Sequence, residues 1–429
     1  MRQVWILNHY AQEPSGAGGT RHFHLAEHLI AHGWQATVIA ASVELNSGRQ
    51  RLAPHETQRL EHFSGVPFLW VRTPEYQGNG GGRMRNMLAF SWRVLRGKTT
   101  RDLPRPDVVI GSSVHPFAAV AGALLARRFK VPFVFEVRDL WPQTLVDLGR
   151  LREDAVATRI LRRIEIWLYR RAARIVVLLP RAWEYIVPLG IAKEKIVWIP
   201  NGVDLSLFPR ANMQKPAERD PEEPFTLMYF GAHGQANGLD NLLKAMELVG
   251  KRYEGVNILL RMIGSGPLKP ELMAQAERLK LRNVVFESAV PKSEIPHLAA
   301  QADAFVIAVL ELPKLYRYGI SMNKLFDYLA AGRPIVISSD AANNPVADAE
   351  AGLTVGPGRP EALAQAIIDI AAMQPSERER MGRSGRDYVE KNHGFLHLSG
   401  RLADVLDEIS APMPAAARGE TRTEAWAES

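Results

Sequence analysis

Residues 318–334 read Tyr-Gly-Ile-Ser-Met-Asn-Lys-Leu-Phe-Asp-Tyr-Leu-Ala-Ala-Gly-Arg-Pro, a polar loop feeding a helical pattern that stops at Gly332. The amides at such a helix start, with Ser321, Met322, Asn323 and the Lys324 ammonium, suit a diphosphate, because free N–H groups and the helix dipole both favour an anion there. Asp327, one turn on, suits hydrogen bonds from ribose hydroxyls. The plainer reading is an ordinary i,i+3 ion pair between Lys324 and Asp327. Gly264-Ser265-Gly266-Pro267 is a second turn whose backbone suits a nucleotide, or a mere packing turn. In the first half, Gly16, Gly18 and Gly19 lie between Pro14 and Thr20, where amides approach a phosphate or simply close a turn. His115 follows the apolar run 108–110, and Glu136, Arg138 and Asp139 end the run 133–137. A single histidine is more often structural than reactive, and the acids are explained equally by a local ion pair beside Trp141.

These residues need strand ends to hold them. Strand-like runs at 4–7, 37–40, 68–71, 108–110, 133–137 and 175–179 alternate with helical stretches, which is the arithmetic of a parallel βαβ sheet. The alternation breaks across a Pro- and charge-rich stretch and restarts at 225–230, 258–263, 284–286, 304–309, 334–337 and 353–355. With 429 residues, the chain exceeds what one core of about 250 to 300 residues accommodates. The expected plan is α/β, with two Rossmann-like domains facing across a deep cleft: residues 1–200, a linker at 201–224, and residues 225–394. A closing helix at 395–411 should pack back on the first domain, and 412–429 reads as a disordered tail. In this plan His115 and Asp139 fall at strand C-terminal ends, where ligands of open α/β sheets gather. A nicotinamide dinucleotide is disfavoured, because the second strand closes as Ile39-Ala40-Ala41-Ser42 without the acid that binds ribose.

There is no cysteine, which removes disulfides and thiolate chemistry and fits a reducing compartment. The first residues read as a strand rather than a secretory signal, and no apolar run is long enough to span a bilayer. Residues 1–200 hold 28 Lys and Arg against 16 Asp and Glu, while the remainder is acidic. Such asymmetry implies an anionic partner for the first half. Residues 83–105 interleave Arg83, Arg85, Arg93, Arg96, Lys98, Arg101 and Arg105 with Met84, Met87, Leu88, Phe90, Trp92 and Leu95, a mixture suited to an anionic headgroup layer. A second cluster, Arg159, Arg162, Arg163, Arg170, Arg171 and Arg174 around Ile166, Trp167 and Leu168, reads the same way or as a solvated helix face. No nucleic-acid-binding motif accompanies the arginines.

Taken in order, the Gly18-Gly19 loop, 139–142 (Asp-Leu-Trp-Pro), 199–204 (Ile-Pro-Asn-Gly-Val-Asp), 263–267 and 324–334 resemble the family-4 retaining glycosyltransferases of the GT-B fold. The likeness is greatest to bacterial enzymes of O-antigen, capsule and exopolysaccharide assembly, and within them to transferases of N-acetyl-L-fucosamine and related sugars. The resemblance implies a nucleotide-sugar donor, a polyprenyl-diphosphate-linked saccharide acceptor, a cytoplasmic site at the inner membrane face, and neither cofactor nor metal. It implies catalytic roles for His115, Asp139 and Lys324, with His115 at the transferred sugar. The Gly18-Gly19 loop would approach the donor diphosphate or the acceptor, Gly231, His233, Gly264, Gly266 and the amides from Ile320 to Asn323 would cradle the nucleotide, and Val290 would lie beside the base. Two departures stand out. Of the two glutamates that many members carry eight residues apart, the first, the usual donor-sugar carboxylate, is Gly319 here and the second is Asp327. Its Arg and Lys after the first strand of the second domain are absent, leaving Lys324, His233 or Arg261 to face the diphosphate. A UDP-sugar 2-epimerase and a noncatalytic sugar-nucleotide-binding subunit share these features and stay open.

Overall fold

A computed structural model describes residues 1–16, 19–45, 48–76, 78, 80–113, 115–210, 223–252 and 257–411. Gly18, most of the Pro- and charge-rich linker and the expected tail lie outside the described residues.

The first sheet contains β1 (Arg2–Leu7), β2 (Trp34–Ala41), β3 (Gln58–Phe63), β4 (Val66–Val71), β5 (Val108–Ser112), β6 (Phe133–Val137), β7 (Arg174–Val177) and β8 (Ile196–Trp198), in the order β3-β4-β2-β1-β5-β6-β7-β8. All neighbours are parallel except β3 and β4, a hairpin closed by Ser64 and Gly65, both at positive φ. That turn geometry matches the right-handed strand twist and joins strands in two residues. Side chains alternate between faces: Trp5 and Leu7 of β1 enter one core cluster with Val109, Phe133 and Phe135, while Val4 and Ile6 enter the other with Val108, Ile110 and Val134. Burial on both faces is what requires near-continuous apolar strands.

The second sheet is parallel throughout and contains β9 (Phe225–Phe230), β10 (Ile258–Ile263), β11 (Val284–Glu287), β12 (Ala304–Ala308), β13 (Ile335–Ser338) and β14 (Gly352–Val355), in the order β11-β10-β9-β12-β13-β14. Phe305 and Ile307 face one core, Ala304 and Val306 the other. Both sheets are doubly wound, so each has its ligand edge at the strand C-terminal ends.

The chain passes between the two units at two adjacent places. Val203 N donates to the His393 carbonyl at 3.0 Å, and Phe395 N donates to the Val203 carbonyl at 3.2 Å. A Cβ on Gly202 would stand 2.4 Å from the His393 carbonyl oxygen, so the crossings touch through bare backbone. The last described helix, Phe395–Ser410, buries Phe395, Leu398, Leu402, Val405 and Leu406 in the first unit's core beside Val4, Ile6, Phe23 and Leu25.

Candidate active site

The facing edges of the two sheets enclose a cavity of about 380 Å³, bounded by Asp139 and Leu179 on the first unit and by Asn237, Tyr318, Ser321 and Met322 on the second. Asn201 ties its floor: its backbone N–H donates to Ser321 Oγ at 2.8 Å and its side-chain amide to the Ser321 carbonyl at 2.7 Å. Arg181 N donates to the Tyr318 carbonyl at 3.1 Å, so the first unit grips the loop before the helix Asn323–Ala331.

That helix begins without a side-chain cap and without an acid in its first turn, leaving its N-terminal field uncompensated. Lys324 runs back beneath the β9 turn, packing near Gly231, and Nζ donates to Tyr229 Oη at 3.0 Å and Asn237 Oδ1 at 2.5 Å. Tyr229 donates its own proton to the Ala232 carbonyl at 2.8 Å, which turns its lone pairs toward the ammonium. Burial with no carboxylate partner pushes the Lys324 pKa down to about 7. The expected alternative, an ion pair with Asp327, is not formed: the Asp327 carboxyl, raised by burial, instead has Lys292 and Asp204 as its charged neighbours.

The glycine turns of β9 and β10 lie against each other. A Cβ on Gly264 would stand 2.0 Å from the Gly231 carbonyl oxygen, and one on Gly266 2.5 Å from that of His233. His233 N donates to the Ser265 carbonyl at 2.8 Å, which locks the pair of turns. The His233 ring is buried with neither nitrogen partnered, and burial lowers its pKa to about 4. It is therefore neutral near pH 7 and does not supply the missing cation. Arg261 does not supply it either: Nε and Nη2 engage Glu287 at 2.6 and 2.8 Å and Nη1 engages Gln301 at 2.7 Å, committing the whole fork within its own unit. Lys269, not singled out from the sequence, donates to the carbonyls of Gly264 and Glu287 at 2.8 and 2.5 Å. A lysine two residues past Gly-Ser-Gly-Pro was its only sequence signal. Val290 is half-buried beyond β11, and nearby Lys292 reaches the other unit, donating to Thr20 Oγ1 at 3.3 Å.

At the first unit's edge, His115 caps the helix Pro116–Phe129: its Nδ1 accepts the Ala118 N–H at 3.4 Å. Burial, with His9 and Arg83 adding to it, holds the imidazole far below its usual pKa. A neutral ring whose Nδ1 accepts must carry its proton on Nε2, and that atom is buried without a partner. Gly19, at positive φ, lies against the Tyr10 carbonyl, from which a Cβ would stand 2.8 Å. Asp139 faces the cavity with its side chain open to it, and the protein packed around it raises its carboxyl above the usual range.

Glu136 is not the local partner of Arg138 that the sequence suggested. Its position on β6 points it to the face of Val134, where Oε1 accepts from Arg21 Nε at 3.0 Å and Oε2 meets His22 Nε2 and Ser112 Oγ, each at 2.6 Å. Burial opposes its ionisation, but His22 and Arg21 outweigh it and hold the carboxyl well below its ordinary value. Arg21 in turn donates to the carbonyls of Ile199 and Pro200. This buried cluster fastens the first helix, the sheet edge and the first crossing into one rigid body.

The Gly319 position explains the missing glutamate. It sits at φ +107°, and a Cβ there would lie 2.6 Å from Asn343 Oδ1 and 2.7 Å from Pro180 Cδ. Only glycine fits, so no acid can stand at this wall of the cavity. Among the described residues no cluster of three or more His, Asp or Glu is placed to hold a metal ion.

Two Rossmann-like units closed on a cleft of glycine turns and an open helix N-terminus define the GT-B fold of glycosyltransferases. Comparison agrees: residues 16–202 match the model of the glycosyl transferase 4-like domain, and residues 224–373 that of the glycosyl transferases group 1. The chain therefore belongs to the GT-B glycosyltransferases. It is similar to the probable glycosyltransferase WbjE of Pseudomonas aeruginosa, 26% identical over 69% of this chain and 73% of that one. It is 27% identical to the D-rhamnosyltransferase WbpZ of the same species over 60% of this chain and 66% of that one. Among solved structures it resembles the sucrose-phosphate synthase of Thermosynechococcus elongatus, with a TM-score of 0.71 at 17% identity over 95% and 99% of the two chains. It also resembles Anabaena HepE in complex with UDP-glucose, with a TM-score of 0.65 at 15% identity over 95% and 100%.

Proposed function

We propose that this transferase moves an N-acetylated amino or deoxy sugar, with retention of anomeric configuration, from a UDP-sugar to a polyprenyl-diphosphate-linked saccharide in O-antigen, capsule or exopolysaccharide synthesis. The observation that carries the donor half is Lys324, a half-buried cation with no carboxylate partner among the described residues, at an uncapped helix start beside the cleft. A leaving diphosphate is the partner such a site lacks, and fixed amides and an ammonium stabilise its developing charge without a metal. UDP is supported by the UDP complex of the HepE structure, and a deoxy sugar by the name of WbpZ. Asp139, Ser321 and Met322 border the sugar's space, while Asp327 faces ribose and Val290 the base. His115 donates to the transferred sugar, and the departing phosphate oxygen takes the acceptor proton.

The acceptor half rests on one face of the first unit. Met84, Leu88 and Trp92 form a stripe along the helix Gly81–Leu95 and are 45%, 48% and 54% exposed, with the Arg96 guanidinium over Trp92. Val156, Ile160 and Trp167 are exposed on the helix Val156–Arg171, and the helix Pro116–Phe129 packs between the two. In the second basic cluster Leu168 is core, Arg162 binds Glu153 and Gln143, and Arg174 pairs with Glu408, leaving Arg159, Arg163, Arg170 and Arg171 outward. No helix among the described residues is long and apolar enough to cross a membrane. The face docks the enzyme peripherally on the inner, anionic leaflet, where a lipid-linked saccharide resides.

Thermal-shift titration with UDP-, GDP- and dTDP-sugars, followed by transfer to a lipid-linked acceptor in EDTA, tests this reading. A bound donor raises the melting temperature by mass action. Binding only GDP-sugars would replace UDP, release of free epimerised sugar would favour an epimerase, and loss of transfer in EDTA would overturn the metal-free mechanism.

A further inference from the structure

His9 has no part in the proposed transfer, and the role inferred for it depends on that transferase reading. In the order β2-β1-β5 the chain leaves β1 for β2 on one side while β5 lies on the other, so the switch point of the first sheet falls between β1 and β5. Crevices of doubly wound sheets open there. His9 lies two residues past β1 and His115 three past β5, with ring centroids 4.7 Å apart and planes at 73°. They are 1% and 0% exposed.

Their protons are fixed from behind. Asn86 Nδ2 donates to the Pro74 carbonyl at 2.6 Å, and a carbonyl only accepts. Asn86 Oδ1 therefore faces His9, whose Nε2 must donate to it at 2.6 Å. That leaves His9 Nδ1 as a bare lone pair, buried and without a partner. His115 is the mirror case: Nδ1 is occupied and Nε2–H is bare. Buried polar atoms without partners are rare and costly, and here an acceptor and a donor are carried by two rings whose centroids lie 4.7 Å apart. A phosphate oxygen would satisfy only His115 and an ammonium only His9. An alcohol hydroxyl, which donates and accepts through one oxygen, satisfies both.

We propose that His9 and His115 jointly hold one hydroxyl of the bound saccharide, His9 Nδ1 accepting from it and His115 Nε2–H donating to it. Asn86 is the positioning residue that keeps His9 in the accepting tautomer, and it ties the pair to the helix Gly81–Leu95 that faces the membrane. The hydroxyl belongs to the donor sugar or to the acceptor saccharide.

The test starts from wild-type enzyme with its transferable nucleotide sugar. His9→Phe should lower kcat/KM for transfer by about tenfold or more, and His9→Gln, which offers an amide oxygen, should recover part of it. If donor Kd and donor hydrolysis weaken together with transfer, the hydroxyl is the donor's; if only transfer suffers, it is the acceptor's. Nitrogen-15 spectra of the wild-type imidazoles need no variant and guard against misfolding. They should show both rings neutral with Nε2–H, and ligand should shift His9 Nδ1. Transfer by His9→Phe within about twofold of wild type would overturn the proposal. So would a His9 Nδ1 signal that ignores both substrates, since a trapped water then satisfies the pair. A wild type that binds no nucleotide sugar would overturn the transferase reading itself.

Discussion

Lys324 is held in a place that disfavours its charge, with Tyr229 Oη and Asn237 Oδ1 as its hydrogen-bond partners among the described residues. With its pKa lowered to about 7 by burial, the free enzyme binds fewer protons at Lys324 than an unfolded chain between about pH 7 and 10.5, so this group disfavours folding below 7 and relents as pH rises. A diphosphate reverses the balance by stabilising the ammonium, and a diphosphate diester has no proton of its own to lose near neutrality. Donor binding should therefore take up a proton above pH 7, and affinity should fall about tenfold or more from pH 7 to 9. Calorimetry in buffers of differing ionisation enthalpy reads the uptake directly. Lys324→Met should bind donor weakly at every pH, with the buffer dependence gone; a pH dependence that survives the substitution would place the titrating group elsewhere.

At the level of elements, the helix Gly81–Leu95 does two jobs on opposite faces. Inward, Asn86, Met87, Phe90 and Val94 are buried against the sheet edge that carries His9 and His115. Outward, Met84, Leu88 and Trp92 recur every four residues, an apolar stripe left facing water that an acyl interface would cover. Flotation with anionic vesicles should recover the wild-type protein, and Leu88→Glu or Trp92→Glu should weaken vesicle binding by about tenfold or more. Because the stripe faces away from the core, melting temperature and donor affinity should hardly change. Equal binding of wild type and both variants would remove the membrane role of this face.

Across the whole molecule, neutral histidines are built into both units and their junction. Burial lowers the pKa of His9 to about 3 and those of His24, His233 and His393 to about 4, while His115 lies well below its usual value and His22 is also lowered. An unfolded histidine takes its proton near pH 6.5, whereas His9, His24, His233 and His393 wait until about 3 to 4, so the unfolded chain binds more protons in that window. Stability is fully present above about 6.5 and falls as pH drops toward 4, by about 3 kcal/mol for His9 alone at pH 4. Against a typical total of about 5 to 15 kcal/mol, these four histidines together outweigh Glu165, whose carboxyl burial raises to about 8 and which gains stability as pH falls, so the protein is destabilised toward pH 4. Scanning calorimetry from pH 7.5 to 4 should show a steep fall in melting temperature beginning near 6.5, and His9→Phe should flatten part of it. A flat profile down to pH 4.5 would contradict this account.

What the sequence determines by itself is set by short-range rules. Near-continuous apolar runs with intervening helical patterns specify two doubly wound sheets, and the order of the glycine turns and the run 324–334 specifies the fold family. Two strands escape such reading: β3 is polar and belongs to an edge, and β8 has three residues, so neither carries a long enough apolar run. Tertiary structure alone decides where long side chains place their hydrogen bonds. Arg261 turns to Glu287, Glu136 to Arg21 and His22, Lys324 to Tyr229 and Asn237, and His9 to Asn86, across sequence separations of 26, 115, 95 and 77 residues for the first contact of each. Sequence pattern fixes which face of an element a residue occupies, but the partner on that face is chosen by packing between segments that no local rule connects.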